Sequence, residues 1–304
     1  MLPFSVTILG SSSAQPTETR FPTSQVVNLN DRLYLIDCGE GTQIQLRKFG
    51  FKAGKINHIF ISHLHGDHCF GLMGLISTFG MLNRTAELHI HAQADLEKIM
   101  LPQLAFFCTG LSFDVIFHTL HPRKHELIYE DRSVQVFSIP LKHRVPCCGF
   151  LFEEKPRDRH IIRDMIDFYQ IPTWRILKIK QGEDFTTQDG EIIPNDQLTT
   201  PSELPKRFAY CSDTAYSEKI IPIIQGVDCL YHEATFMEDE LLRSKQTEHS
   251  TARQAGEIAL KANVKKLIIG HYSARYNNQN ELLKEAQAVF ENTVLGEDLT
   301  VYEI

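Results

Sequence analysis

No run in this chain is apolar for the roughly 20 residues that a membrane-spanning helix needs, so no membrane span is expected. The opening residues, Met1-Leu2-Pro3-Phe4-Ser5, lack the basic region and apolar core of a secretion signal. No Cys-x-x-Cys pair occurs, and the seven cysteines are an odd number. That argues against a disulfide framework and for reduced thiols in a cytoplasm. Positive charge is also short: 31 Lys and Arg against 38 Asp and Glu give a net charge of −7. That argues against a general nucleic-acid coat, while a local basic patch stays open. Tryptophan occurs once, at Trp174.

What the chain has in abundance is histidine, 14 in all. Four potential metal ligands fall within the single stretch Ser62-His63-Leu64-His65-Gly66-Asp67-His68. The apolar run before it, residues 56–61, reads as a buried strand. Residues i and i+2 point apart on a helix, so a tight loop at a strand end is the expected carrier. Three imidazoles and a carboxylate buried together without a cation would be costly. Imidazole and carboxylate together suit Zn²⁺ or a similar ion.

The rest of the chain alternates strands, hairpins and helices, as an α/β protein of 304 residues should. Strands are expected over 4–9, 24–29, 32–36, 87–91, 114–120 and 148–152, with Asn30-Asp31 turning a hairpin. Helices are expected over 43–49, 72–82, 95–107, 218–225, 250–261 and 281–290. Residues 153–205 interrupt this alternation, being charged, studded with proline and without clear periodicity. They read as an insertion projecting from one core, with 186–196 as a return loop. Polar residues recur at the C-terminal ends of strands: His143, Asp213, Glu233 and His271. In α/β sheets that edge carries ligand sites. The ligand count suggests two metals. His63, His65 and His143 would serve one, Asp67, His68 and His271 the other, and Asp213 would bridge. Two such ions about 3.5–4 Å apart suit phosphodiester hydrolysis, though also amide and thioester hydrolysis.

The pattern His-x-His-x-Asp-His followed by a distant His, Asp and His resembles the metallo-β-lactamase superfamily. Further motifs narrow the resemblance to the short form of the ribonuclease Z family, the tRNA 3′-processing endoribonucleases. They are Asp37-Cys38-Gly39-Glu40-Gly41-Thr42-Gln43, Ser212-Asp213-Thr214, His232-Glu233-Ala234-Thr235-Phe236, His249-Ser250-Thr251 and His271-Tyr272-Ser273-Ala274-Arg275-Tyr276. The resemblance implies a four-layer αβ/βα sandwich, two zinc ions per subunit and a homodimer. It implies cleavage of a tRNA precursor just 3′ of the discriminator nucleotide, leaving a 3′-hydroxyl on the tRNA and a 5′-phosphate on the trailer. By position, Asp67 matches a proton acceptor, Glu233 and His249 a proton-donating pair, and Ser273 and Arg275 residues that hold substrate phosphate. The 153–205 insertion falls where the family carries a flexible arm that grips tRNA. Trp174, Arg175, Lys178 and Lys180 would then offer stacking and phosphate contacts, concentrating positive charge where the RNA lies. Two other readings stay open: a phosphodiesterase or exonuclease of broader specificity, and an RNA-binding scaffold that has lost its metals.

Overall fold

Strands such as Val26-Val27 and Leu33-Tyr34-Leu35-Ile36 are buried on both faces, which requires covering layers above and below. The structure, a computed structural model, describes residues 4–304. Met1-Leu2-Pro3, part of the stretch read for a secretion signal, lie outside the described residues. In chain order the strands are β1 (Phe4–Gly10), β2 (Ser24–Leu29), β3 (Arg32–Ile36), β4 (Ile56–Phe60), β5 (Leu88–Ala92), β6 (Val115–Thr119), β7 (Leu127–Glu130), β8 (Val134–Pro140) and β9 (Cys148–Glu154). The short pairs β10 (His160–Ile161), β11 (Phe185–Thr186), β12 (Ile192–Ile193) and β13 (Thr199–Thr200) follow. After them come β14 (Arg207–Cys211), β15 (Cys229–Glu233), β16 (Leu267–Gly270), β17 (Thr293–Leu295) and β18 (Thr300–Glu303). Two seven-stranded sheets result, ordered β18-β1-β2-β3-β4-β5-β6 and β17-β16-β15-β14-β9-β8-β7.

The two sheets share one core, in which Phe4, Ile8 and Phe60 pack with Phe150, Phe208, Tyr210 and Tyr231. On its outer face the first sheet is covered by helices that contribute Leu46, Leu72, Ile76 and Met100. Helices contributing Ala255, Ile258 and Leu282 cover the second. The layer order is therefore helix, sheet, sheet, helix, as expected. Within each sheet β3 to β6 and β14 to β17 run parallel. Their C-terminal ends fall on one edge, which sets the location of the site.

The chain divides into two compact units, Met1–Glu153 with Lys206–Ile304, and Glu154–Pro205. The smaller unit is more ordered than its sequence suggests. It contains helices Arg163–Phe168 and Thr173–Lys180 and its own small core of Ile171, Ile179, Phe185, Ile193 and Leu198. At six and eight residues these helices span about two turns, too few for an amphipathic pattern to stand out in the sequence. The expected return loop is the hairpin β11–β12 followed by a one-turn helix, Asn195–Leu198. In the larger unit the expected helix 218–225 is broken into a 3₁₀ turn and the four-residue Ile221–Ile224, with Pro222 at its start. Helix Leu241–Thr247 and strand β17 add to the expected elements.

Not all of the histidine excess serves a site. His58, His89, His91 and His118 sit on β4, β5 and β6, in register with one another and with Phe60. His91 stacks on Phe60 at 4.5 Å and on His118 at 4.5 Å. Burial pushes His58 down to about 4 and His91 to about 2, so both act as neutral aromatic packing groups at neutral pH.

Candidate active site

The histidine loop leaves β4 as an extended segment and closes into a one-turn helix, Gly66–Cys69. The extended part carries His63 and His65; the turn carries Asp67 and His68. This loop needs a close neighbour. Gly71 lies so near the loop after β3 that an added Cβ would stand 2.0 Å from Gly39 O. Three site residues, Asp37, Asp213 and His271, sit at strand ends with φ of 55°, 31° and 59°. That left-handed backbone is strained for residues other than glycine. It turns each side chain off the sheet edge toward a common centre.

Two groups of ligand atoms converge there. In the first, His63 Nε2 is 2.9 Å from His65 Nδ1, and His143 Nε2 is 3.3 Å from the same atom. Asp213 Oδ2 stands 3.5 Å from His63 Nε2 and 3.7 Å from His143 Nε2. In the second, Asp67 Oδ2 is 3.4 Å from both His68 Nε2 and His271 Nε2. Asp213 Oδ1 is 3.1 Å from each of those nitrogens. One carboxylate thus offers one oxygen to each group, and all seven residues named from the sequence meet.

The donors fit a cation. His68 Nε2 and His271 Nε2 are buried with no hydrogen bond, so the nearby carboxylates do not lie along their bonding directions. The opposite nitrogens are fixed from outside. His68 Nδ1 meets Asp37 Oδ2 at 2.8 Å, His63 Nδ1 meets Ser62 Oγ at 3.0 Å, His143 Nδ1 meets the Glu248 carbonyl at 3.0 Å, and His271 Nδ1 meets Thr235 Oγ1 at 3.1 Å. Held this way, each imidazole presents Nε2 inward, which is how proteins orient metal ligands. Burial holds His63 well below its usual value, keeping it a neutral donor. His68 is different: burial opposes its charge, yet Asp213, Asp67 and Asp37 around it raise it well above the usual value. Three carboxylates in a buried site call for positive charge, which divalent ions supply.

Asp37 is a residue whose role the sequence did not disclose. Wholly buried, it accepts from Ser62 N at 2.7 Å, Ser62 Oγ at 2.9 Å and Tyr210 OH at 2.6 Å, besides facing His68. It positions the loop and one ligand at once. Asp37→Asn should weaken metal affinity by about 10–100-fold, read by competition with a chromogenic chelator. An unchanged affinity would confine Asp37 to a folding role.

Beside the ligands lies an ion pair. Glu233 is 0% exposed, and its Oε1 is 2.9 Å from His249 Nδ1. The carboxylate also accepts from Thr214 N at 2.6 Å, Ser250 N at 3.1 Å and Thr235 Oγ1 at 2.5 Å. Burial alone would raise Glu233, but His249 beside it and His271 lower it. Burial likewise works against a charged His249, yet Glu233 lifts it to about 9. One ring nitrogen of His249 lies within 4.8 Å of ligand atoms of Asp213 and His271. His249-Ser250-Thr251 precedes helix Ala252–Lys261, where Thr251 forms a capping box with Gln254.

Ser273 and Arg275 line a cleft of about 400 Å³ that includes His249. Arg275 is ion-paired with Glu240 and lies over the Phe236 ring. Trp174, Arg175, Lys178 and Lys180 share helix Thr173–Lys180 of the smaller unit. The expected concentration of positive charge is not found there. Glu154–Pro205 holds ten acidic residues against seven basic ones, and Arg175 and Lys178 both approach Glu183, at 3.6 and 4.0 Å. What that helix exposes instead is aromatic: Trp174 is 71% exposed, with the Arg175 guanidinium 5.5 Å from its ring.

The chain is similar to known proteins along nearly its whole length. A family model described as anti-Pycsar protein Apyc1 matches residues 4–156, which include the histidine loop. The chain is 58% identical over 295 residues to a ribonuclease Z of Bacteroides fragilis, covering 97% of each chain. Among solved structures, the short form of human tRNase Z superposes with a TM-score of 0.73 at 25% identity, covering 99% of both chains. The metallo-β-lactamase fold protein YhfI of Bacillus subtilis gives 0.69 at 19% identity, covering 99% of this chain and 100% of that one; it speaks for the fold. With more than half of its residues identical across nearly the whole of a relative, this chain belongs to the ribonuclease Z family, and its first half to the family described as Apyc1.

Proposed function

We propose that this site hydrolyses the phosphodiester just 3′ of the discriminator nucleotide of tRNA precursors, using two zinc ions. The chain is an endoribonuclease of tRNA 3′ processing. The observation that carries the chemistry is the Glu233–His249 pair beside the ligand cluster, a buried carboxylate keeping an imidazole protonated where a leaving oxygen would depart. The RNA substrate rests on family membership.

His63, His65, His143 and Asp213 would hold one ion, and Asp67, His68, His271 and Asp213 the other. Zinc bound there supplies Lewis-acid polarisation of the phosphate and a water acidic enough to attack at neutral pH. Asp67 accepts a proton from the attacking water. The water oxygen bonds to phosphorus as the P–O3′ bond breaks. His249 gives its proton to the departing O3′, steadied by Glu233. The products are a tRNA 3′-hydroxyl and a trailer with a 5′-phosphate. Ser273 and Arg275 hold phosphate from the adjoining cleft.

The 153–205 arm serves as a tRNA-gripping exosite, through Trp174, Arg175, Lys178 and Lys180. Its cleft of about 640 Å³, with Phe168, Tyr169, Trp174 and Phe185 in its wall, favours stacking over charge. Base–aromatic stacking is worth about 1–3 kcal/mol, so Trp174→Ala should raise KM by roughly tenfold with kcat little changed. A kcat loss without a KM change would deny the helix this role. A second copy of the chain is assigned to the apolar side chains exposed on helices Leu72–Met81 and Ala94–Phe107, notably Met81, Phe106 and Phe107. Seven free, mostly buried cysteines suit a cytoplasmic setting.

The deciding experiment maps cleavage on one tRNA precursor carrying a 3′ trailer, with and without a chelator, alongside a bis-aryl phosphate ester. A single cut after the discriminator, abolished by chelation, is expected. Hydrolysis of the small ester with the precursor left whole would favour a phosphodiesterase of broader specificity.

A further inference from the structure

The cleft that holds His249 carries more positive charge than the motif residues account for. Three arginines line it, Arg144, Arg243 and Arg275. Arg275 shares an ion pair with Glu240. Arg144 and Arg243, both exposed, have no carboxylate partner among the described residues, whereas Arg275, Arg175, Arg159 and Arg253 each do. Arg144 follows the ligand His143 directly, and its charge is near enough to His249 to work against that group's protonation. Arg243 stands on helix Leu241–Thr247, whose end leads into His249. Two guanidiniums without a carboxylate partner among the described residues thus face the small cleft that also holds His249. The acids beside it are already engaged, Glu233 with His249 and Glu240 with Arg275. Like charges so arranged repel unless an anion lies between them, and guanidinium is the side chain best matched to phosphate oxygens.

The geometry points to Arg144 and Arg243 as positioning residues that hold the phosphates on the tRNA side of the cut. The side follows from His249. A group that protonates the departing O3′ stands next to the nucleotide bearing that oxygen, which is the last nucleotide of the tRNA. A cleft shared with His249 therefore receives the strand running 5′ from the cut, and the trailer leaves in another direction. Ser13 and Ser273 in the same cleft offer hydroxyl donors to the same phosphates. This inference rests on the proposed function, since the sidedness comes from the acid role of His249.

The test uses tRNA precursors in which one phosphate is replaced by an uncharged methylphosphonate, at the first or second position 5′ of the cut or the first position 3′ of it. With the wild-type protein, a 5′-side replacement should lower kcat/KM about tenfold, mainly through KM. In Arg144→Gln and Arg243→Gln, kcat/KM on the unmodified precursor should fall by a similar factor, and at least one 5′-side penalty should vanish. The slope of log(kcat/KM) against log[salt] should also shrink by about 0.7 for each arginine–phosphate pair removed. Arg243→Lys should recover part of the activity with the same salt slope as wild type. If both glutamine variants keep every 5′-side penalty, or lose the penalty on the trailer side, the assignment is wrong. Failure of the wild-type protein to cut the precursor would strike the underlying reading. Normal cutting with an unaltered methylphosphonate profile would strike this inference alone.

Discussion

Asp67→Ala is expected to reduce cleavage of a tRNA precursor by about 10³-fold or more while leaving RNA binding largely intact. The expectation comes from two roles placed on one carboxylate. Asp67 Oδ2 stands 3.4 Å from His68 Nε2 and 3.4 Å from His271 Nε2, so its loss opens one of the two ligand groups. Its side chain is 8% exposed. Burial alone would raise its pKa, yet His68 and His271 hold it well below the usual carboxylate range. It is therefore ionised at neutral pH. Metal content and activity, measured together, separate the two roles. If Asp67 is mainly a ligand, the variant binds one ion fewer, and added metal restores cutting. If it accepts the proton, metal returns and cutting does not. A variant that retained both its full metal content and its activity would remove Asp67 from the site.

The proposed ligand set was legible in the sequence because its segments follow buried strands, and such strands announce themselves by apolar runs. His63 follows Ile56–Phe60, Asp213 follows Arg207–Cys211 and His271 follows Leu267–Gly270. Parallel pairing then carries all three to one edge, a consequence of topology that local pattern alone could foresee. The division of ligands between two groups was legible for a simpler reason: seven donors exceed what one tetrahedral ion takes.

Other parts stayed hidden for identifiable reasons. Asp37 stands in the sequence only as the first residue of a motif, with no role attached. Its role depends on Ser62, His68 and Tyr210, which approach it from 25, 31 and 173 positions away. Arg144 and Arg243 are ordinary surface arginines in the sequence; only their shared cleft, and the absence of a carboxylate partner among the described residues, set them apart. Helix Leu241–Thr247 is one that propensity barely marks, because Leu242 is exposed and Ser244 is buried, reversing the usual amphipathic sense. The charge of the arm was legible throughout. Over Glu154–Pro205 the ten acids already outnumber the seven bases, and Glu183 beside Arg175 makes the excess visible.

His249→Ala should lower kcat by about 10²–10⁴-fold with KM changed little, the range that removal of a general acid produces. The geometry commits Nδ1 of His249 to Glu233 at 2.9 Å, which leaves Nε2 to carry the proton that is given up. Glu233 cannot easily surrender its charge. It accepts from the Thr214 and Ser250 amides as well as from His249, and a carboxylate so bonded stays ionised even when buried. The pair is thus built to keep a proton on His249, which Glu233 lifts to about 9 against the effect of burial. A ligand role is the competing account, because His249 also approaches Asp213 and His271. Two measurements separate them. Metal content should be unchanged in His249→Ala, since the ions have seven other donors. A precursor whose departing 3′ oxygen is replaced by sulfur should be cut by the variant at close to the wild-type rate, because a thiolate leaves without a proton. If the variant remains as slow on that substrate as on the ordinary one, His249 does not act on the leaving atom, and the Glu233–His249 pair serves the architecture of the site instead.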